Sequence, residues 1–358
     1  MTTAEAPGID ETKLQAFVGK ALTDMGAAMS ASLTVIGDKL GLYKALHEDG
    51  PLNSPELAER TGTHERYVRE WLAAQAAGGY VEYDPETRKF ALPPEQALVL
   101  ADETSPLYVQ GAFQVIEAAI ADEPHISDAF KSGRGFGWHE RDARLFEGTE
   151  RFFRPGYDAH LIAEWIPALG DVDAKLRTGA KVADVGCGLG ASTIVMAKEY
   201  PKSTFTGFDY HQSSIELARE RATAADVGEM VSFGVASAQD FAAGPYDFIA
   251  CFNCLHDMGD PVGGAKHILE QLKPDGTWLL VEPYANDKLE DNLNPIGRIF
   301  YAASTLLSTP ASLSQDVGLA LGAQAGEARL RAVVAKSGFR RFRRAAETPF
   351  NLVFEIRP

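Results

Sequence analysis

Four short runs of this chain hold residue types that can do chemistry on a small ligand. In the first, Val182-Ala-Asp-Val-Gly-Cys-Gly-Leu-Gly190, a β-prone run (180–185) gives way to Gly186, Gly188 and Gly190, and a helical stretch follows over 191–200. Glycines at a strand-to-helix turn allow positive φ and close approach of the backbone to a ligand. The helix N-terminus behind them presents free N–H groups and a partial positive charge. Such a turn serves a dinucleotide, another nucleoside, or tight strand–helix packing. In the second run, Asp209 closes a strand over 203–208, where a carboxylate can accept from both vicinal hydroxyls of a ribose. The third, Ser237-Ala-Gln-Asp-Phe241, follows a strand over 230–235 and offers a polar–apolar edge suited to a purine. The fourth, Asn253-Cys-Leu-His-Asp257, follows a strand over 246–252, at the end of an open α/β sheet where ligands bind. His256, with an ordinary pKa near ~6.5, is the best-placed general base there, or else it caps the next helix or bonds backbone.

These runs require a series of strands and helices to position them. The glycines alternate as G-x-G-x-G, with the third one place early for the nicotinamide fingerprint G-x-G-x-x-G. Leu272-Lys-Pro-Asp-Gly276 is read as a turn into a fifth strand (277–281) that ends at Glu282-Pro283. Segments 339–344 and 351–356 read as a closing hairpin, the second with the alternation of a strand near the sheet edge. The basic run Arg340-Arg-Phe-Arg-Arg344 suits an edge strand whose arginines discourage edge-to-edge pairing. Cys251 and Cys254, on a strand, fall on opposite faces, which argues against redox chemistry or zinc. No His, Cys, Asp or Glu cluster has metal-ligand spacing, so no metal is expected.

In this order and spacing the motifs resemble the class I S-adenosylmethionine (SAM) dependent methyltransferases, over about residues 150–358. The resemblance implies an α/β, Rossmann-like domain with a C-terminal antiparallel hairpin, SAM as methyl donor and S-adenosylhomocysteine as product. It implies cofactor contacts from Tyr157, Asp184, Gly186, Cys187, Gly188, Asp209, Tyr210, Ser237, Ala238, Gln239 and Asn253. Phe153-Arg-Pro-Gly-Tyr157 is taken to open the helix that lies over the cofactor in related enzymes.

Residues 30–100 follow another pattern. One helix carries Leu33, Ile36, Leu40 and Leu42 to Leu46, a short one spans 55–61, and a third spans 64–77 with Val68, Trp71 and Leu72 at helical spacing. Segments 80–83 and 89–92 then flank Asp84-Pro-Glu-Thr-Arg88 as a hairpin, giving an α-rich winged helix. A DNA reader carries a basic stripe on its recognition helix. Here residues 51–90 hold seven acids against five bases, and the third helix alternates in sign. A winged helix before a SAM domain is similar to the plant-type and actinobacterial (mycobacterial) small-molecule O-methyltransferases, where the N-terminal part makes a homodimer and walls the acceptor pocket. The plant-type base lies six residues after the first His of H-D-x-x-D; after His256 that residue is Val262, so His256 or His139 must substitute, or no strong base is needed.

Composition sets the outer bounds. With 358 residues, 45% hydrophobic and 23% charged, the chain can bury more than one core. A net charge of −16 opposes nucleic acid and anionic membranes. No apolar run reaches the ~18 residues of a membrane span, and the polar, acidic start does not read as a targeting peptide. Three cysteines fit a reducing compartment, the cytoplasm. The organisation expected is an N-terminal helical or flexible arm (1–29), a winged-helix dimerisation domain (30–100), a helical connecting segment and pocket wall (101–175), and a SAM-binding domain (176–358). Within the last, an insertion at 285–327 replaces the expected helix and lies over the acceptor, with Phe300 and Tyr301 lining an apolar pocket. Gly133-Arg-Gly-Phe-Gly-Trp-His-Glu140 reads as a flexible lid or pocket wall. The function expected is methyl transfer to a small, largely apolar acceptor, at oxygen before nitrogen or carbon. The rival is a SAM-sensing winged-helix regulator.

Overall fold

The computed structural model describes residues 8–358, so the first seven residues of the expected arm lie outside the described residues. Contacts divide the chain into two units at Glu117 and Ala118. Residues 101–117 of the connecting segment therefore belong to the first unit.

In the first unit, helix α1 (Glu11–Lys39) starts where the Asp10 side chain accepts from Lys13 N at 3.1 Å. It runs without a break through position 30. The single helix expected up to residue 46 is instead two, because Gly41 takes φ 68° and turns the chain into α2 (Leu42–Asp49). Helix α3 (Ser54–Thr61) begins with a capping box between Asn53 and Glu56. Helix α4 (Glu65–Ala77) is capped by His64, and β1 (Glu82–Asp84) pairs antiparallel with β2 (Lys89–Ala91). Leu46, Leu57, Trp71 and Leu72 form the core, into which Tyr43 brings a buried hydrogen bond to Gln75 Oε1 of 2.7 Å. Helix α5 (Pro94–Leu100) packs on α2, and α6 spans Gln110–Ala121. The outer face of α1 leaves Leu14, Val18, Leu22, Met25, Met29, Ile36 and Leu40 exposed at helical spacing.

The second unit continues through α7 (Glu123–Ser132), α8 (Arg144–Gly156) and, without interruption, a π-helical stretch over Tyr157–Trp165. Tyr157 thus sits within a continuous helical segment and does not open a new helix. After α9 (Val172–Thr178) come β3 (Lys181–Val185), α10 (Ala191–Glu199), β4 (Thr204–Asp209), α11 (Gln212–Ala224), β5 (Val231–Val235), β6 (Tyr246–Phe252), α12 (Pro261–Gln271) and β7 (Leu272–Pro283). The chain closes with α13 (Pro295–Ala303), α14 (Thr309–Leu313), α15 (Gly326–Lys336), β8 (Arg341–Glu347) and β9 (Asn351–Arg357). The seven strands lie in the order β5-β4-β3-β6-β7-β9-β8, parallel from β5 to β7 and antiparallel thereafter. Strand β6 is buried along nearly its whole length, as a central parallel strand must be. One apolar layer, with Leu161, Trp165 and Met196, covers one side of the sheet; another, with Ile249, Leu280 and Leu330, covers the other.

Strand β7 pairs Leu272 with Tyr246 and then, after a register shift, Thr277 with Phe248; between them the chain folds back as expected, so that a Cβ on Gly276 would fall 2.9 Å from Lys273 O. The hairpin is as expected: the Arg-rich β8 forms the exposed edge, and β9 lies next to it, between β7 and β8. The expected helix after the fifth strand is not replaced: α15 follows the insertion and packs on α12. The glycine-rich segment after α7 is pinned and does not float. Phe136 N donates to Pro310 O at 3.0 Å, and a Cβ on Gly135 would fall 2.0 Å from Ser314 N.

This packing separates two glycines. Gly135→Ala should destabilise the protein by about 1–3 kcal/mol, because the obstacle is backbone that cannot swing away. Gly156→Ala, with open space around the new Cβ, should be neutral or stabilising by up to about 1 kcal/mol. Paired urea titrations check the contrast, and equal midpoints for the two variants would contradict it.

Candidate functional site

The glycine turn after β3 is built by its own backbone. Gly186, Gly188 and Gly190 take φ of 76°, 52° and 81°, which only glycine adopts at little cost. Gly186 N and Cys187 N both donate to Phe208 O, at 2.7 and 3.0 Å, which ties the turn to the end of β4. Gly188 N donates to Asp209 Oδ2 at 3.0 Å, and His211 N donates to Asp209 Oδ1 at 2.9 Å. Each Asp209 oxygen keeps a further lone pair. Burial raises the Asp209 carboxyl, while the two backbone donors oppose the rise. A Cβ on Gly188 would meet nothing within 4 Å, so this stretch of backbone faces open space.

That space is a cavity of about 560 Å³. The turn, Asp209, Tyr210, Ser237, Ala238, Gln239 and Asn253 line one side, and Trp138, Phe146, Glu150, Phe153 and Tyr157 line the wall contributed by the segment around α8. At the remaining end stand Asp257, Met258 and Asp260 with Ala311, Ser314, Gln315 and Asp316 of the insertion. The structure therefore brings Tyr157, Gly186, Cys187, Gly188, Asp209, Tyr210, Ser237, Ala238, Gln239 and Asn253 to a single cavity. The lining from 314–316 and Glu150 left no signal in the sequence, since both depend on how the insertion and α8 fold back.

Other expected site residues lie elsewhere. Asp184 is buried beneath the turn, where Oδ2 accepts from Ser192 and Thr193 hydroxyls, each at 2.6 Å, and Oδ1 has no partner. Burial pushes its pKa up to about 6. Phe300 is buried and Tyr301 half-buried, and neither lines the cavity. His139 is exposed on a short 3-10 turn outside the lining.

His256 is also outside the lining. Strand β6 ends at Phe252, Asn253 takes φ 51°, and a 3-10 turn over Leu255–Asp257 rotates His256 inward. Its Nδ1 lies 2.6 Å from Glu282 Oε2, and its Nε2 stands 3.2 Å from Asp257 Oδ1, an ion-pair distance without hydrogen-bond alignment. Glu282 Oε1 accepts from Leu255 N at 3.0 Å. Burial pulls the imidazole pKa down, but the charges of Asp257 and Glu282 outweigh it and raise the pKa to about 9. Both ring nitrogens thus face carboxylates, and His256 does not line the cavity. The same rotation corrects the cysteines: the Cys254 thiol lies beside Cys251 instead of across the strand, which together with burial pushes its pKa up. Asn253 keeps a buried Nδ2 with no partner and neighbours Tyr157, whose phenol is raised by burial. Among the described residues no group of three His, Cys, Asp or Glu is placed to hold a metal ion.

The His256 ion pair has a pH signature. A pKa raised from ~6.5 to about 9 contributes stability that is fully present below pH ~6.5 and lost as pH rises through 9. The loss should be on the order of 2–3 kcal/mol. Urea titrations at pH 6.5 and 9.5 should show this fall in the wild-type chain and a smaller one in His256→Gln; parallel falls would contradict the pairing.

Comparison with known proteins fits this geometry. Residues 27–102 match the family model described as an Rv2258c-like winged HTH domain, and residues 176–317 match one described as a methyltransferase domain. The chain is 27% identical over 190 residues to the probable methyltransferase PMT15 of Arabidopsis thaliana, covering 49% of this chain and 28% of that protein. It is 35% identical over 101 residues to a ubiquinone biosynthesis O-methyltransferase of Vibrio parahaemolyticus, covering 27% of this chain and 41% of that one. The chain thus spans less than half the length of these curated relatives. Among solved structures, a putative O-methyltransferase from Nostoc punctiforme aligns with a TM-score of 0.72 at 18% identity, covering 94% of this chain and 98% of that one. The mitomycin 7-O-methyltransferase MmcR aligns with a TM-score of 0.66 at 22% identity, covering 97% and 100%. At such identities the likeness shows the fold. The two family matches and the sheet together identify this chain as a winged HTH domain joined to a Rossmann-like methyltransferase domain.

Proposed function

We propose that the chain transfers a methyl group from SAM to a hydroxyl of a small molecule. The observation that carries this reading is the meeting, in one cavity, of the left-handed glycine turn, the Asp209 carboxylate and the Ser237–Gln239 edge. SAM bound there would supply an electrophilic methyl carried on a positively charged sulfur. The residues present fit it. Asp209 has lone pairs free for the ribose hydroxyls, the 237–239 edge suits the adenine, and the unpartnered Asn253 Nδ2 beside Tyr157 suits the carboxylate of the methionine part. Phe146, Phe153 and Trp138 would hold water away from the reacting atoms. Oxygen is preferred as the acceptor atom because several of the similar proteins are named as O-methyltransferases.

The acceptor is read as a small molecule that enters past Asp257 and the insertion residues 314–316. The apolar stripe on α1 is read as the surface of a homodimer. DNA is not read as a partner: Arg66 and Arg69 on α4 are already engaged by Glu70 and Glu65, at 2.6 and 2.8 Å. Among the described residues no helix is long and apolar enough to cross a membrane. Three free cysteines agree with work in the cytoplasm.

Calorimetry should show binding of S-adenosylhomocysteine and little binding of NAD. Asp209→Ala should weaken the former by about 10- to 100-fold, the value of a charged hydrogen-bond acceptor at about 1.5–3 kcal/mol. Label from methyl-labelled SAM should enter a small-molecule cell extract. Tight NAD binding without S-adenosylhomocysteine binding would contradict the proposal. In a gel assay at physiological salt no shift of duplex DNA is expected, and a specific, saturable shift would favour the regulator instead.

A further inference from the structure

We propose that Glu150, on α8, receives the α-ammonium at the methionine end of SAM and of S-adenosylhomocysteine, an assignment that rests on the methyl-transfer reading above.

Both compounds end in a zwitterion, so a site for them must meet a carboxylate and an ammonium within a short reach. Among the described residues that line the cavity there are five carboxylates, Glu150, Asp209, Asp257, Asp260 and Asp316, and no Lys, Arg or His. The ligand's carboxylate therefore depends on neutral donors. Asn253 offers one: Asn351 Nδ2 donates to Asn253 Oδ1 at 3.1 Å, which fixes the amide, and the buried Asn253 Nδ2 has no partner.

For the ammonium the five acids are not equivalent. Asp209 holds Gly188 N and His211 N at the end of β4, the place read for the ribose. Asp260 accepts from Gly263 N and from Gln239 Nε2, which ties it to the edge read for the adenine. Asp257 and Asp316 stand with the insertion, where Gln315 Nε2 donates to Asp257 O at 2.8 Å. Glu150 stands apart, on the wall that also carries Phe153 and Tyr157. Its charge adds to the burial that raises the Tyr157 phenol, and Asn253 neighbours the same phenol. An acid and a free amide donor thus share one neighbour in the cavity wall.

Glu150 is also held in place. Its side chain is 10% exposed, and Oε1 lies 3.4 Å from Arg154 Nε on the next turn of α8 and 3.2 Å from Arg221 Nη1 on α11. Neither arginine lines the cavity; both line a groove outside it, and Glu150 and Ala191 are the residues common to the two. Cations on the outer side offset the cost of an acid in the wall and restrict its rotamers, while the carboxylate remains part of the cavity lining. Either oxygen of a carboxylate can accept from an ammonium.

The test is calorimetry on the full chain with three ligands: S-adenosylhomocysteine, its analogue lacking only the amino group, and 5′-methylthioadenosine, which lacks the whole amino-acid end. Glu150→Gln should weaken S-adenosylhomocysteine about 10- to 100-fold and leave the other two within about threefold of wild type, because only the first carries the ammonium. A loss for S-adenosylhomocysteine of less than about tenfold would overturn the proposal. So would a comparable loss for all three ligands, the mark of a residue that merely shapes the wall. If Glu150→Gln does not fold, Glu150→Asp decides by setting the charge one methylene back: a loss confined to S-adenosylhomocysteine supports the assignment, and equal changes for all three ligands overturn it. A wild-type chain that binds none of the three would overturn the SAM reading itself.

Discussion

The cavity end of the sheet depends on a backbone constraint, the attachment of the glycine turn to β4. A single carbonyl, Phe208 O, accepts from both Gly186 and Cys187, and the side chain of the next residue, Asp209, accepts from Gly188. Two consecutive residues of one strand thus hold the loop that follows its neighbour. The positive φ at three glycines is what lets the loop reach them, and it leaves the N-terminus of α10 directed at the same space. Tight packing enforces the choice of residue: a Cβ on Gly190 would fall 2.8 Å from the Phe233 ring, and one on Gly186 would fall 2.8 Å from the Cys254 sulfur.

The opposite wall rests on charge. Where β6 and β7 end side by side, Glu282 collects Leu255 N with one oxygen and His256 Nδ1 with the other, so the turn leaving β6 is tied to the neighbouring strand. A lone buried carboxylate there would be costly, and the imidazolium compensates it. The second carboxylate, Asp257, shares that compensation while still facing the cavity.

Much of this was legible in the sequence, and the reason is locality. The glycine turn, Asp209 and the 237–239 edge each follow directly from a strand and the turn after it, so composition and spacing place them at the correct end of the sheet. The winged helix was legible for the same reason, through helical spacing and a hairpin turn. What could not be read depends on single backbone rotations or on distant folding back. Asn253 with φ 51° ends the strand alternation, so His256 faces inward, Asp257 outward, and Cys254 meets Cys251. The insertion contributes Ser314 to Asp316 to the lining in place of Phe300 and Tyr301. Gly41 likewise breaks a helix whose apolar pattern continues across it.

The proposed function turns on whether this cavity holds SAM. A crystal structure of the full chain grown with S-adenosylhomocysteine would decide it. The ribose hydroxyls should lie on Asp209 and the adenine along Ser237 to Gln239. A ligand bound elsewhere, or one in the cavity with its ribose away from Asp209, would contradict the reading.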